Sequence, residues 1–453
     1  MRIAPWHRQV LGVGVALALL QVGCGGHEAR TLRMRTALDA GNPKAAIAAL
    51  NQELGVATDK DQPKSVTGDD ALLVLDRASI QQSIAQFDLS KKDFEAADKG
   101  IDMLDLSRNA GDSIGEYMFS DSSGKYKAPP YEKLLINTLN LVNYLETGDT
   151  QGALVEARRL AVTQKFLRDS QGVTAKGVFA LGSLLAGFTY EKTGNIDEAL
   201  RYYDEVATSG NKESVREAVA RLYARGTYKS KTLDALAPTP PEGEETAHNN
   251  ELADVLFVVG YGRVPHKIPE RVPIGLALTL FANDISPTDR AQATDLAAQG
   301  LVTWVNYPTL APATGEYTSP VCLLDGKRIS LSPAADVAEE VRTEWRRIEG
   351  KIIVSAITRL ITRLAVGQGI RVAAGRDNAV GIIGSLVAQA SLSALDTPDT
   401  RSWETLPAHV SVARMRVAPG AHRVEAGASG WRRTQALQLS PGGFAVVSLM
   451  ALH

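Results

Sequence analysis

At 453 residues the chain is long enough for roughly two or three domains, and its formal net charge of −2 leaves no basic surplus to hold nucleic acid and no acidic tail. Hydrophobic residues at 44% and charged residues at 22% give a chain able to bury a core, which excludes general disorder. The two cysteines, Cys24 and Cys322, are too few for a disulfide framework.

The N-terminus carries Arg2, His7 and Arg8, then an apolar run from Val10 to Leu20 broken only by glycines. A bilayer span needs about 20 apolar residues, so this run is too short to cross one and fits the core of an export signal. It leads into Leu20-Gln21-Val22-Gly23-Cys24-Gly25-Gly26. A small residue directly before a Cys, just behind an apolar run, resembles the lipobox of bacterial lipoproteins. The resemblance implies that residues 1–23 are removed and that the Cys24 thiol carries lipid. Several acyl chains, each buried methylene contributing about 0.8 kcal/mol, make a stable anchor. The pattern departs at one place: the family usually has Leu three positions before the Cys, and here Gln21 stands there. Gly25 and Gly26 replace the Asp that keeps many such proteins at the inner membrane, so the resemblance points to the outer membrane, facing the periplasm. Residues 24–30 are expected to be anchor and tether. With Cys24 acylated, Cys322 in the run Pro320 to Leu324 is expected to be a small buried hydrophobe.

Residues 31–230 are expected to form a helical repeat domain. The clearest unit is Gly187-x-x-Tyr190-x-x-x-Gly194-Asn195-x-x-x-Ala199-x-x-x-Tyr203, which resembles the tetratricopeptide repeat. Gly187 and Ala199 let two helices pack closely, the tyrosines fill adjacent gaps, and Gly194 turns the chain. Tyr144, Gly148-Asp149 and Ala153 repeat the pattern, as do Ala37, Gly41-Asn42 and Ala46. A degenerate copy around Phe87, Phe94, Ala97 and Leu104 has no turn glycine. A helix from Glu213 to Ala224 should cap the stack. Ser107 to Pro130, rich in Gly, Ser and Asp, is a long connection. Residues 231–250, with Ala237-Pro238-Thr239-Pro240-Pro241, are expected to be a linker.

Residues 251–398 are expected to hold strands and a long helical hairpin. Val255 to Val259, Leu301 to Tyr307, Val321 to Leu324 and Arg328 to Leu331 have strand character, the last two joined by an Asp325-Gly326 turn. Arg263 to Ile274, with prolines along it, suits an edge. Val337, Val341, Trp345, Ile348 and Ile352 mark a helix expected to end at Gly367-Gln368-Gly369, and Ala379 to Leu395 a second one folding back. In 399–453, strands at His409–Val417, His422–Ala426, Gln435–Leu439 and Phe444–Met450 with Pro-Gly turns resemble a small β-sandwich. The expected fold class is α+β and multidomain: an N-terminal α-helical, tetratricopeptide-like repeat domain, then a mixed α/β region ending in a small β-sandwich-like domain.

Three segments together resemble a family of largely uncharacterised bacterial envelope lipoproteins. They are Tyr131-Glu132-Lys133 through Tyr144, Gly148-Asp149 and Glu156-Ala157-Arg158-Arg159; Gly262-Arg263-Val264-Pro265 to Ile274; and Asp399-Thr400-Arg401-Ser402-Trp403-Glu404-Thr405-Leu406-Pro407-Ala408. The resemblance implies a lipid anchor and helical repeats, and links the chain to the regulators of peptidoglycan synthases.

Chemistry-bearing motifs are scarce. No Gly-x-Ser-x-Gly elbow, phosphate loop or His-Glu-x-x-His occurs, and the seven histidines are not paired at ligand spacing. Neither a cofactor nor a metal is expected. Glu156 and Arg159 have the spacing of a helical ion pair. Candidate partner-binding residues are Tyr131, Glu132, Tyr144, Glu156, Arg158, Arg159, Arg401 and Trp403. Trp403 equally suits a buried brace between the helices and the sandwich. The expected function is a lipid-anchored periplasmic scaffold binding other envelope proteins. Two alternatives are an enzyme acting on envelope polymer, with Asp112 and Glu116 as its carboxylates, and a structural subunit of an export or secretion assembly.

Overall fold

The computed structural model describes residues 26–101, 126, 128–171, 175–237, 251–280, 285–298, 304–315, 317, 319–373 and 398–453. Cys24, Asp112, Glu116 and the expected helix at 379–395 lie outside the described residues.

The front half is a row of helix hairpins: α1 (His27–Asp39) with α2 (Pro43–Glu53), α3 (Asp69–Ser83) with α4 (Phe87–Gly100), α5 (Pro130–Glu146) with α6 (Thr150–Gln171), and α7 (Lys176–Lys192) with α8 (Ile196–Thr208). All four turn the same way. A residue in the left-handed region, Gly41, Ala85, Gly148 or Gly194, follows the first helix. The next residue then donates its N–H back to the carbonyl five positions earlier, as Asn42 to Ala37 at 2.8 Å, Gln86 to Gln81 at 2.9 Å, Asp149 to Tyr144 at 2.9 Å and Asn195 to Tyr190 at 2.8 Å. This 6→1 bond satisfies a carbonyl that the helix end would leave unpaired. The degenerate copy uses Ala85 where the others use glycine, which is why its turn carries no sequence signature.

At Gly194 φ is +81°, so Gly194→Ala should cost about 1–2 kcal/mol in urea unfolding. A β-carbon at Gly187 would sit 2.7 Å from the Tyr203 ring, so Gly187→Val should cost more than Gly194→Ala. The reverse order would contradict the close crossing of α7 and α8. The cap is α9 (Glu213–Leu222), two residues shorter than its sequence pattern suggests, which buries Val215 and Val219. A single turn, α10 (Lys231–Asp234), follows inside the expected linker, with the Ser230 hydroxyl accepting from the Leu233 N–H at 3.1 Å.

Two four-stranded sheets form the back half. The first runs β10 (Phe444–Ala451), β1 (Ala253–Tyr261), β7 (His409–Val417), β6 (Ser332–Asp336). The second runs β5 (Lys327–Ile329), β4 (Val321–Leu324), β8 (Gly420–Ala428), β9 (Trp431–Leu439). They face each other as a sandwich over Val255, Phe257, Cys322, Val424, Leu437 and Val447. The sandwich is therefore not confined to residues 399–453. Its central strand β1 comes from before the long helix and pairs in parallel with the last strand, β10. Strand positions were readable from alternation, but alternation does not say which strands pair.

β1 is buried on both faces. Ala253, Val255, Phe257 and Val259 point into the sandwich, while Leu256 and Val258 join the core of the helical array. The order is thus helices, sheet, sheet: the array shares one core with the outer face of the first sheet, and the sandwich interior is a second. The β4–β5 hairpin turns through Asp325 and Gly326, both with positive φ, as a two-residue turn requires. Cys322 is fully buried on β4 and burial pushes its thiol up to about 12, the small hydrophobe the sequence suggested.

A smaller lobe holds β2 (Lys267–Pro273), α11 (Ile274–Leu280), α12 (Pro287–Ala298) and β3 (Trp304–Leu310), packed with the middle of α13 (Val337–Ala373) around Ile274, Val305, Ile353 and Ile357. β2 pairs only with β3, which places its prolines in a two-stranded sheet. The long helix α13 runs through Gly367-Gln368-Gly369 rather than ending there. Glycine lowers helix propensity by about 1 kcal/mol but does not itself stop a helix.

Candidate functional site

Three stretches singled out in the sequence, 131–159, 262–274 and 399–408, meet in space. Residues 398–408 run as a clasp from the N-terminal end of α1, across α3 and α5, to the end of β1. The clasp closes on the second segment through Val264 N–H to the Leu406 carbonyl at 3.1 Å and Ala408 N–H to the Gly262 carbonyl at 3.2 Å. It closes on the first through Trp403 N–H to Glu132 Oε1 at 3.1 Å.

Trp403 is 1% exposed, edge-on to Phe94 with ring centroids 5.9 Å apart, and its indole N–H donates to Ser79 Oγ at 3.2 Å. Asp76 Oδ1 accepts from Glu404 N–H at 3.1 Å, Thr405 N–H at 3.0 Å and the Thr405 hydroxyl at 2.8 Å. A carboxylate in mid-helix thereby replaces the hydrogen bonds that an extended segment would make in a sheet. Glu404 is buried against Arg35 Nη1 at 2.7 Å and the Thr31 hydroxyl at 3.0 Å. His27 Nδ1 lies 2.5 Å from Asp69 Oδ1, and its Nε2 lies 3.1 Å from the Ser402 carbonyl oxygen.

His27 faces an acceptor at each ring nitrogen, so both must donate and the ring is an imidazolium. Burial alone would lower its pKa; Asp69 and Glu404 outweigh that and hold it above 6.5. Burial would raise Asp69, yet His27 and Arg30 bring it down to about 2. Burial, reinforced by Glu404, pushes Asp76 up to about 7 against the pull of His27 and Thr405. Burial also raises Glu404, against His27 and Arg35.

The pH dependence follows. The contribution of Asp76 is fully present below its unfolded value of 3.8 and is lost as pH climbs through about 7. That of His27 is present below 6.5 and is lost as pH rises through its higher folded value. Asp69 has the opposite sign, losing its contribution only as pH falls from 3.8 through about 2. Urea midpoints should therefore fall from about pH 5 to about pH 8, and Asp76→Asn should flatten that fall. Midpoints that rise over this range would contradict the assignment.

Of the residues singled out in the sequence, Tyr131, Glu132, Arg401 and Trp403 come together here. Glu132 is fully buried, taking the Tyr126 hydroxyl at 2.5 Å on its other oxygen, and burial raises its pKa against those donors. Arg401 pairs with Asp399 at 2.8 Å and lies 5.7 Å from the Tyr126 ring. Beside them runs a shallow solvent-open groove walled by Tyr131, Glu132, Lys267, Glu344, Trp345 and Ile348.

The other candidates form a second cluster on α4, α5 and α6. The Tyr144 hydroxyl donates to Glu95. Glu156 accepts from Asn137 at 3.0 Å and pairs with Arg159 at 3.2 Å, and Arg159 also reaches Asp98 at 3.4 Å. Burial pushes Glu156 up to about 7 against Asn137 and Arg159. The ion-pair reading of Glu156 and Arg159 thus holds within the chain. Arg158 stands on the exposed side of α6, between the exposed Val155 and Val162.

Sequence reasoning missed His27, Arg35, Asp69 and Asp76. One signal was present: His27, Thr31 and Arg35 recur every four residues, a polar stripe on one helix face, and that face is the buried one. The network works by holding: His27, Arg35 and the clasp N–H groups all donate to partners within the chain. Among the described residues no group of His, Cys, Asp and Glu could hold a metal ion, and no helix is long and apolar enough to cross a membrane.

Comparison with protein-family models, with curated proteins and with solved structures finds no match to this chain.

Proposed function

We propose that the chain is a lipid-anchored scaffold of the bacterial envelope, held by Cys24 at the outer membrane and facing the periplasm, whose tetratricopeptide-like hairpins dock other envelope proteins. The observation that carries this reading is the row of four hairpins with one shared turn, stiffened along one side by the chain's own sheet. Stacked hairpins present extended surfaces suited to proteins rather than to small molecules. The sheet and the clasp occupy the side lined by α3, α5 and α7, so the docking surface is the opposite one. Its centre is α6, where Val155 and Val162 are 45% and 55% exposed, seven residues apart, with Arg158 between them. The resemblance of the Tyr131–Arg159 segment points to partners among the regulators of peptidoglycan synthases.

The test is quantitative co-purification from envelopes with wild type and with the Val155→Asp, Val162→Asp pair. Both side chains are exposed, so the fold should survive. Recovery of the same partner set should drop at least about tenfold, the equivalent of roughly 1.4 kcal/mol of lost contact. Unchanged recovery would remove α6 as the docking surface.

A further inference from the structure

The anchor reading places lipid on Cys24, two residues before Gly26. Two residues span at most about 7 Å even when fully extended. Gly26 is already packed: a β-carbon there would lie 3.3 Å from Thr400 Oγ1 and 3.9 Å from the Pro398 carbonyl oxygen. Glu28 N–H donates to Thr400 Oγ1 at 3.1 Å, and the His27 ring is fixed at both nitrogens. Residues 26–30 are therefore not a free tether. From His27 onward they are helix, stapled to the clasp.

We infer that the protein is mounted flush on the lipid surface, with the N-terminal end of α1 and the Pro398–Thr400 turn against the headgroups. The inference rests on the anchor reading and adds to it the lipid surface as a second contact of the body. The outward strip of α1 suits that position. Ala29, Leu32, Arg33 and Thr36 are exposed along its first turns, Leu32 at 52%, and the exposed acid Asp39 stands at the far end of the helix. A small, apolar and basic strip can rest on phosphate headgroups, and the carboxylates beside it, Asp69 and Asp399, are each paired with an arginine. A flush mount confines partners to those that come to the membrane surface, whereas a tethered body would reach across a gap that widens with the square root of tether length.

The test uses the full lipidated chain in vesicles of phosphatidylethanolamine with a minor share of phosphatidylglycerol, some lipids bearing a headgroup quencher. A fluorophore is attached at Leu32→Cys or, as control, at Glu217→Cys on α9 at the other end of the array; both positions are exposed. Cys322 is fully buried, which keeps the native thiol unlabelled. Flush mounting predicts that the label at position 32 loses most of its emission and the label at 217 loses little. A flexible Gly-Ser insertion between Gly25 and Gly26 should restore the emission at 32 while the protein stays vesicle-bound. Equal, weak quenching at both positions in bound, acylated protein would overturn the flush mount and leave the anchor standing. Intact mass showing Cys24 without lipid, with no vesicle binding, would overturn both.

Discussion

Trp403→Ala should destabilise the protein by about 3–5 kcal/mol, the cost of a large-to-small change at a fully packed aromatic. Trp403 is enclosed by α3, α4 and α5, edge-on to Phe94, and its indole N–H is bound to Ser79. Removing the ring opens a cavity that rigid helices cannot close. It also loosens the segment whose backbone N–H groups bind Asp76 and Glu132. Trp403→Phe keeps most of the packing and loses one hydrogen bond, so it should cost far less, with about 1 kcal/mol from the bond. Urea unfolding of the two variants measures the difference. Limited proteolysis should show new cleavage within 398–408 for the alanine variant alone. A cost below about 1 kcal/mol for Trp403→Ala would mean the clasp does not brace the array.

Arg414→Ala should be comparably severe. Arg414 stands on the helix-facing side of β7, with Nη2 2.6 Å from Glu191 on α7 and Nε 2.7 Å from Asp254 on β1. Both carboxylates are almost wholly buried, and Lys192 and Arg221 share the same cluster. Although burial opposes it, the surrounding cations hold Glu191 far below the usual carboxylate range, Arg414 foremost. Removing the guanidinium leaves two buried carboxylates short of partners, and breaking such a pair costs about 3–5 kcal/mol. Arg414→Lys supplies one point charge where a planar fork serves two acids, so it should fall between wild type and alanine. Equal stability of wild type and Arg414→Ala would show that the array and sheet are held by apolar contact alone.

What the sequence disclosed depended on the range of each interaction. Turns are local, so Gly41, Gly148 and Gly194 marked three hairpins correctly, and the small residues Gly187 and Ala199 marked a close crossing. Ala85 does the same work without a glycine, and only the backbone geometry reveals it. Strands were found by alternation, but the pairing of β1 with β10 joins segments separated by the whole α13 lobe, and no local pattern encodes it. For that reason 399–453 looked like a separate domain when it supplies half of a shared sandwich. Two of the candidate residues, Glu132 and Trp403, lie far apart in the sequence and are hydrogen-bonded to each other. Their role in holding the fold together was one of two readings open for Trp403. The buried charges that complete the clasp sit inside helical runs. Asp76 follows Ala71 to Leu75 directly, where an apolar face would be expected to continue. A charge in such a run signals a long-range partner without naming it.

The central claim, a scaffold that works because lipid holds it at the membrane, is tested most directly by cross-linking in intact envelopes, comparing wild type with Cys24→Ala. The account predicts a defined set of partners joined to the wild type, captured through α6, that fades when Cys24 cannot be acylated. A partner set identical in both would contradict the role of the anchor, and no partner in either would contradict the scaffold itself.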